Sequence, residues 1–294
     1  MVRGNRVLRK LSLYNVLIAA VLLLVIFTTL YPFWYMIAVS LSKETFVLRG
    51  DVVFWPKGLN FRMYDLVLGD PRISTGYFNT AIYVIAGTAI SLFATCLGAY
   101  TLTKPDMPLR KTFTLMIVIT MFFSGGMIPT FLVVKGLSLV DTRLGMILPT
   151  AVSTWNLIIM RTFFYAFPKE IEESGKVDGM SHLGIFLRLV LPLSKPVLAT
   201  IGLFYAVGMW NNFQSALLYL RSDHLYPLQV VLRNIVLQGQ VIDAAVSDIG
   251  GDNVVVGESL KYATIIVSTV PILLIYPFLQ KYFVRGALIG SVKG

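Results

Sequence analysis

Six stretches of this chain contain no Asp, Glu, Lys, Arg or His: Leu11 to Ser42, Ile73 to Thr103, Thr112 to Val134, Leu144 to Met160, Pro196 to Leu220 and Tyr262 to Gln280. They are 32, 31, 23, 17, 25 and 19 residues long. A hydrocarbon core about 30 Å thick needs roughly 20 helical residues. The pattern therefore predicts an all-α integral membrane fold, one domain over residues 1–294, with spans at about 13–40, 75–102, 112–134, 144–166, 197–220 and 262–282. The fourth stretch is the shortest, and its helix gains length by ending near Arg161, whose long side chain can snorkel to the headgroups. Arg3, Arg6, Arg9 and Lys10 precede an apolar run too long for a cleavable signal, so the first span reads as an uncleaved anchor.

Between the spans the polar segments differ in kind. Tyr31, Phe33, Trp34 and Tyr35 sit where the first span meets its interface, with a kink expected at Pro32. Residues 43–72, with Trp55, Pro56, Lys57 and Gly58, are too polar to span and too aromatic for simple disorder, so this loop is expected to pack. Gly87, Ser91 and Thr95 form a small-residue stripe beside Ala94 and Gly98, suited to close helix packing within the chain. Residues 221–261, with Asp243, Asp248, Asp252 and Glu258 among glycines, read as a flexible acidic loop. Pro271 and Pro277 predict an irregular last span.

Composition agrees with a lipid environment: 56% of the 294 residues are apolar, 14% are charged, and mean hydropathy is +0.75. Charge then orients the chain. With a cytoplasmic N-terminus, the inside segments hold 15 Lys and Arg against 5 Asp and Glu, and the outside segments hold 10 against 10. Both termini thus fall on the cytoplasmic face, and the net charge of +10 marks membrane topology and lipid-surface attraction rather than nucleic-acid binding. Cys96 is the sole cysteine, which rules out an intramolecular disulfide.

The segment between the fourth and fifth spans, residues 167–196, is longer than a simple connection needs. Pro168 suits a first helical turn, and Glu170, Glu172 and Glu173 lie near its positive end. Gly179 can end that helix, Met180 to Val190 can form a second with Leu183, Phe186, Leu187 and Val190 on one side, and Pro192 and Pro196 close the element. The product is an amphipathic helix pair suited to a groove on another protein. A lipid-surface helix held by Lys176, Arg188 and Lys195 would use the same amphipathicity.

Here the spacing carries a resemblance. Glu173, Ser174 and Gly175, then Gly179, then Leu189, Leu191 and Pro192 resemble the signature loop of permease subunits in bacterial ABC importers, with Ser and Gly in place of the usual two alanines. Asp178-Gly179 and the Leu-Pro-Leu-Ser-Lys-Pro ending resemble the carbohydrate-uptake, maltose-type branch, as do Trp55-Pro-Lys-Gly-Leu-Asn60, Gly208-Met-Trp-Asn-Asn-Phe213 and the tail Val292-Lys-Gly294. Ser124-Gly-Gly-Met-Ile-Pro129 and residues 136–143 resemble the members that handle larger oligosaccharides, alginate and other uronate oligomers among them.

The resemblance implies a type I importer subunit of the bacterial inner membrane, in which the loop at 167–196 is a coupling helix seated on an ATP-binding subunit. It places Glu173 against a basic residue there, Ser174, Gly175 and Asp178 beside it, Gly179 at the turn, and Met180, Leu183 and Phe186 as apolar anchors ahead of Leu191 and Pro192. It also implies a tail contact to the ATPase through Lys293 and Gly294. The implied partners are a second homologous permease, two ATP-binding subunits and an extracytoplasmic solute-binding protein.

None of the six stretches contains Asp, Glu, Lys, Arg or His, so a buried proton relay of the kind used by secondary carriers is missing from the pattern, as is any intramembrane catalytic set. A non-transporting scaffold is excluded less directly. No Gly-x-x-x-x-Gly-Lys-Ser/Thr run exists, so ATP and Mg are expected on the partner subunits, with no cofactor, metal or catalytic residue in this chain. Trp210, Asn211, Asn212, Gln214 and Ser215 in the fifth span, with Asn156 in the fourth, offer amides, hydroxyls and an aromatic face to a sugar. Interhelical hydrogen bonding, worth about 0.6 kcal/mol on average, would use the same groups.

Overall fold

A computed structural model describes residues 13–247, 258–274 and 277. Among these every regular element is helical, and they fall into two compact units, residues 13–67 with 235–247 and 258–267, and residues 68–234 with 268–274 and 277.

In the first unit α1 (Leu13–Ser40) runs through Pro32 as one helix of 28 residues, about 42 Å long at 1.5 Å per residue. It is apolar all round, and residues 14–30 are exposed on every side, the arrangement of a helix whose solvent is lipid or another apolar chain. The loop behind it is ordered, as its aromatic content implied. The Lys57 amide donates to Ser42 Oγ at 3.0 Å, the Asn60 amide to the Leu41 carbonyl at 2.9 Å, and Trp55 packs edge-on to Trp34 with ring centroids 5.5 Å apart. The short α2 (Glu44–Leu48) and the start of α3 (Arg62–Gly69) belong to this folded segment, and Ser40 Oγ lies 2.7 Å from the Tyr64 hydroxyl. Ala38, Val39 and Val52 form its small core, with Tyr262 half-buried against it.

The second unit is organised on α4 (Pro71–Thr101), which Asp70 caps by accepting from the Arg72 amide. The run from Ile73 to Thr103 is thus a single helix. Three other runs are not. The third is α5 (Arg110–Phe122) and α6 (Met127–Gly136), bent by 120° at Ser124 to Gly126, where Gly126 takes φ +84°. The fourth is α7 (Arg143–Ile147) with a 3-10 turn to Thr150, then α8 (Thr154–Tyr165), bent by 56°. After α9 (Lys169–Val177), α10 (His182–Ile185) and α11 (Leu191–Leu193), the fifth run begins as α12 (Lys195–Trp210). It breaks at Asn211 to Phe213 and resumes as α13 (Gln214–Tyr219).

The helices over 112–134, 144–166 and 197–220 are therefore interrupted rather than continuous. Apolarity sets membrane residence but does not enforce helical continuity, and each break falls where glycine, proline or capping side chains satisfy or free the main chain.

Small residues let α4 pack closely. A Cβ on Gly87 would meet Met209 at 3.0 Å, and one on Gly98 would meet Leu157 at 3.4 Å, so the stripe with buried Ser91 and Thr95 is spent on α12 and α8 of the same chain.

The expectation of a loop throughout 221–261 is corrected. Leu228 to Ser247 forms α14, in which Leu228, Val230, Val231, Leu232 and Ile235 are buried, a helical stripe that outweighs the polar composition. A last helix, α15, covers 258–274 and continues through Pro271. Asp248, Asp252, most of the last span beyond 274, and the tail with Lys293 and Gly294 lie outside the described residues.

Candidate functional site

The helix pair between α8 and α12 forms as its sequence dictates. Pro168 stands at the N-cap of α9, and Glu170 and Glu172 occupy the first turn, where the dipole favours acids. At the other end Gly179 takes φ +73° while the Gly179 amide donates to Lys176 O at 3.0 Å and the Met180 amide to Gly175 O at 2.9 Å. This is a Schellman closure that needs a left-handed residue at position 179. Ser181 Oγ caps α10 by accepting from the Gly184 amide. From Phe186 to Val190 the helix widens into a π turn. Pro192 and Pro196 remove two donors just beyond it, and the chain bends 85° into α12.

Gly175 is buried for a reason specific to this pair. A Cβ there would lie 2.9 Å from Ile185 Cγ1 and 3.0 Å from Leu189 Cδ1, so glycine lets α9 press against the second helix. Ile185, Phe186 and Val190 are each 1% exposed and belong to one core with Tyr100, Met160, Phe164 and Ile201. Phe186 lies 4.9 Å from the Tyr100 ring. Of the three anchors that the resemblance implies, Phe186 is thus corrected: it is buried among Tyr100, Phe164 and Ile201 and holds the loop to its own chain. Met180 and Leu191 are half-buried against the same core, while Leu183 is exposed.

Glu173, Ser174, Asp178 and Pro192 face outward, and Ser174 Oγ donates back to Ile171 O. The outward face also includes Val177, 87% exposed, and Leu187. Val177 was missed because it stands off the amphipathic stripe, between Lys176 and Asp178. An aliphatic side chain at the last turn of an otherwise polar helix was the available signal.

The second feature is a cavity of about 730 Å³ where the three breaks converge. Ser124, Gly125 and Gly126 border it from the first break, Thr150, Ser153 and Asn156 from the second, and Asn211, Asn212, Gln214 and Ser215 from the third. Tyr205 and Phe213 supply rings. Asn156, Asn211, Asn212, Gln214 and Ser215 are thus brought together as the sequence suggested, while Trp210 does not line the cavity. Charge is lacking throughout its wall. The Tyr205 hydroxyl bonds Thr95 Oγ1 at 2.6 Å and accepts from the Ser153 amide at 3.0 Å, which fixes the wall against α4. The glycine break and Tyr205 escaped sequence reading because each lies inside a continuous apolar run.

At the far end of α4 from the helix pair, polar side chains hold the segment leading to α14. Asn79 Nδ2 donates to His224 O at 2.7 Å and Tyr226 O at 3.1 Å, and the Tyr83 hydroxyl donates to Leu225 O at 2.8 Å. Asp141, at φ +60°, accepts from the Arg221 and Ser222 amides and from Ser222 Oγ. The Ser222 hydroxyl first, then these two amides, hold its carboxyl down at about 2.

The described residues thus combine a helix-pair loop pinned to the core with a cavity at three helix breaks whose wall holds amides, hydroxyls and rings. Comparison with known proteins supplies the class. Residues 80–289 match the family described as binding-protein-dependent transport system inner membrane component, and the chain belongs to that family.

More particularly, it is 41% identical over 285 residues to the polygalacturonan/rhamnogalacturonan transport system permease protein YtcP of Bacillus subtilis (strain 168), covering 97% of this chain and all of that one. It is 44% identical over 266 residues to protein LplC of the same organism, with 90% of each chain covered. Among solved structures, a bacterial ABC transporter involved in the import of the acidic polysaccharide alginate superposes with a TM-score of 0.84 at 33% identity, covering 94% of this chain and 98% of that one. The chain is accordingly a multi-pass permease component of an ABC sugar importer.

Proposed function

We propose that this permease carries oligosaccharides with uronate units, galacturonate-type oligomers above all, as half of an ATP-driven pathway. Its partners are a second, homologous permease, two ATP-binding subunits that hold ATP and Mg, and an extracytoplasmic binding protein that delivers the sugar. Six crossings place both termini in the cytoplasm, with the loop at 167–196 as the coupling helix. Glu173 then meets a basic residue of the ATPase, Val177 and Leu183 fill its groove, and Lys293 and Gly294 add a tail contact.

The observation that carries this reading is the split of one short loop into a buried face, Ile185, Phe186 and Val190, and an exposed acidic and aliphatic face at Glu173, Val177 and Leu183. Such a face suits helix-in-groove recognition. Support for the substrate class comes from YtcP, named for polygalacturonan and rhamnogalacturonan transport, and from the transporter of the acidic polysaccharide alginate. Asn156, Asn211, Asn212, Gln214 and Ser215 present amides and hydroxyls to sugar hydroxyls in the cavity. Closing the ATPase dimer would turn the docked loop and open the cavity to the other side. Moving such an equilibrium from 1:99 to 99:1 takes about 5.5 kcal/mol, which docking must transmit.

The test is reconstitution of the full complex in proteoliposomes, with its binding protein and oligogalacturonides. Binding-protein-dependent stimulation of ATP hydrolysis is expected, and Glu173→Lys should abolish it or release the ATPase. Undiminished stimulation in Glu173→Lys would sink the coupling role.

A further inference from the structure

Two adjacent carboxylates on α9 have opposite fates. Glu173 faces outward, whereas Glu172 turns inward and pairs with Lys104, 68 residues earlier in the chain. Both side chains of the pair are largely covered, Lys104 at 17% and Glu172 at 24% exposure. The Lys104 ammonium also stands 3.7 Å from the centroid of the Tyr100 ring, a cation–π contact. Tyr100 in turn packs on Phe186 at 4.9 Å and edge-on to Phe164 at 6.1 Å. Arg110 donates to the carbonyls of Thr103 and Lys104, which fixes the turn carrying the lysine. One ammonium thus joins α9, the π turn and the end of α4.

Covalent continuity already links the helix pair to α12. It does not link it to α4, whose residue Thr95, over one turn before Tyr100, bonds Tyr205 in the cavity wall. We propose that Lys104 is a positioning residue that transmits displacement of α9 to α4, through Glu172 on one side and Tyr100 on the other. The cavity wall then receives the stroke along two helices at once, α12 by its chain and α4 by this clamp. The Tyr100–Phe186 contact already packs the helix pair on α4, and the covered Lys104–Glu172 pair adds a charged tie from α9 itself, which a solvated surface pair would not hold as the loop turns. The inference rests on the coupling role proposed above for the loop.

The experiment uses the complete reconstituted complex and compares ATP hydrolysed per oligogalacturonide taken up. Lys104→Met keeps the aliphatic stem without the charge, Glu172→Gln is nearly isosteric, and Lys104→Arg retains a cation over the ring. The two neutralising variants should co-purify with the ATPase as wild type does, yet waste about fivefold more ATP per sugar, the low end of inter-site coupling. Lys104→Arg should restore most of the efficiency, and the double neutral variant should be no worse than either single one, since both remove the same link. Wild-type stoichiometry in Lys104→Met or in Glu172→Gln would overturn the inference, and so would loss of ATPase association in either, which would make the pair part of docking. If the wild-type complex itself shows no sugar-stimulated hydrolysis, the coupling role of the loop fails before the clamp is reached.

Discussion

Truncating Phe186 and truncating Val177 should separate two properties of the helix pair. Phe186 is 1% exposed, stacked near Tyr100 and surrounded by Ile185, Val190 and Phe164, so Phe186→Ala leaves a cavity that rigid neighbours on α4 and α8 cannot close. Such truncations cost about 3 to 5 kcal/mol, a large share of a domain's net stability. Val177 is 87% exposed, so Val177→Ala removes little that the isolated chain has buried and should cost under about 0.5 kcal/mol. Phe186→Ala should therefore lower the thermal midpoint of the detergent-solubilised permease by several degrees. Val177→Ala should leave the midpoint alone and weaken capture of the ATP-binding subunit. Maleimide labelling gives a second readout, because the native Cys96 is 1% exposed and contributes little background: Val177→Cys should react quickly and Phe186→Cys slowly. A Phe186→Ala chain with an unchanged midpoint that fails to hold the ATPase would refute the argument and return Phe186 to the docking face.

Gly145→Ala should be severely destabilising, since its Cβ would lie 2.1 Å from the Leu139 carbonyl oxygen and only a backbone shift relieves it. A cost of about 2 kcal/mol or more is expected, read as lost expression or a lower midpoint. Asp141 sets a pH dependence. Its folded value of about 2 lies below the ordinary 3.8, so its contribution is complete above pH 3.8 and disappears as pH falls toward 2. Asp141→Asn should flatten that acid limb of the midpoint-versus-pH curve, and an unchanged limb would remove Asp141 as its cause.

Much of this was legible in the residues. Pro168, Gly179 and Pro192 delimit the helix pair because each imposes or forbids a backbone state whatever its surroundings, and Gly179 adopts the left-handed conformation its role requires. The amides of the fifth span were recognisable as a cluster because they interrupt an apolar run. What escaped depends on tertiary context. Helical periodicity grouped Phe186 with Val190, but whether that apolar side meets its own chain or a partner depends on where α4 and α8 lie, which the period does not carry. The break at Gly125 and Gly126 is invisible to a count of charges, since glycine carries none, although its poor helix propensity is the signal that a bend could use. Residues 228–247 form a helix through buried Leu228, Val231, Leu232 and Ile235, whose spacing was present but diluted by acids further along.

The uncharged wall of the cavity has a kinetic meaning. A carrier with a lysine or arginine ring at its centre would hold an acidic sugar in a deep well and release it slowly. On the proposed function, the amides and hydroxyls of the wall would instead give each hydroxyl or carboxylate of a passing chain several near-equal partners, exchanged stepwise as water is exchanged. Passage needs binding strong enough to admit a solute and weak enough to let it go. On the proposed function, recognition would fall to the delivering protein, and this chain would offer a shallow, graded path along which oligomers of different length slide at similar speed.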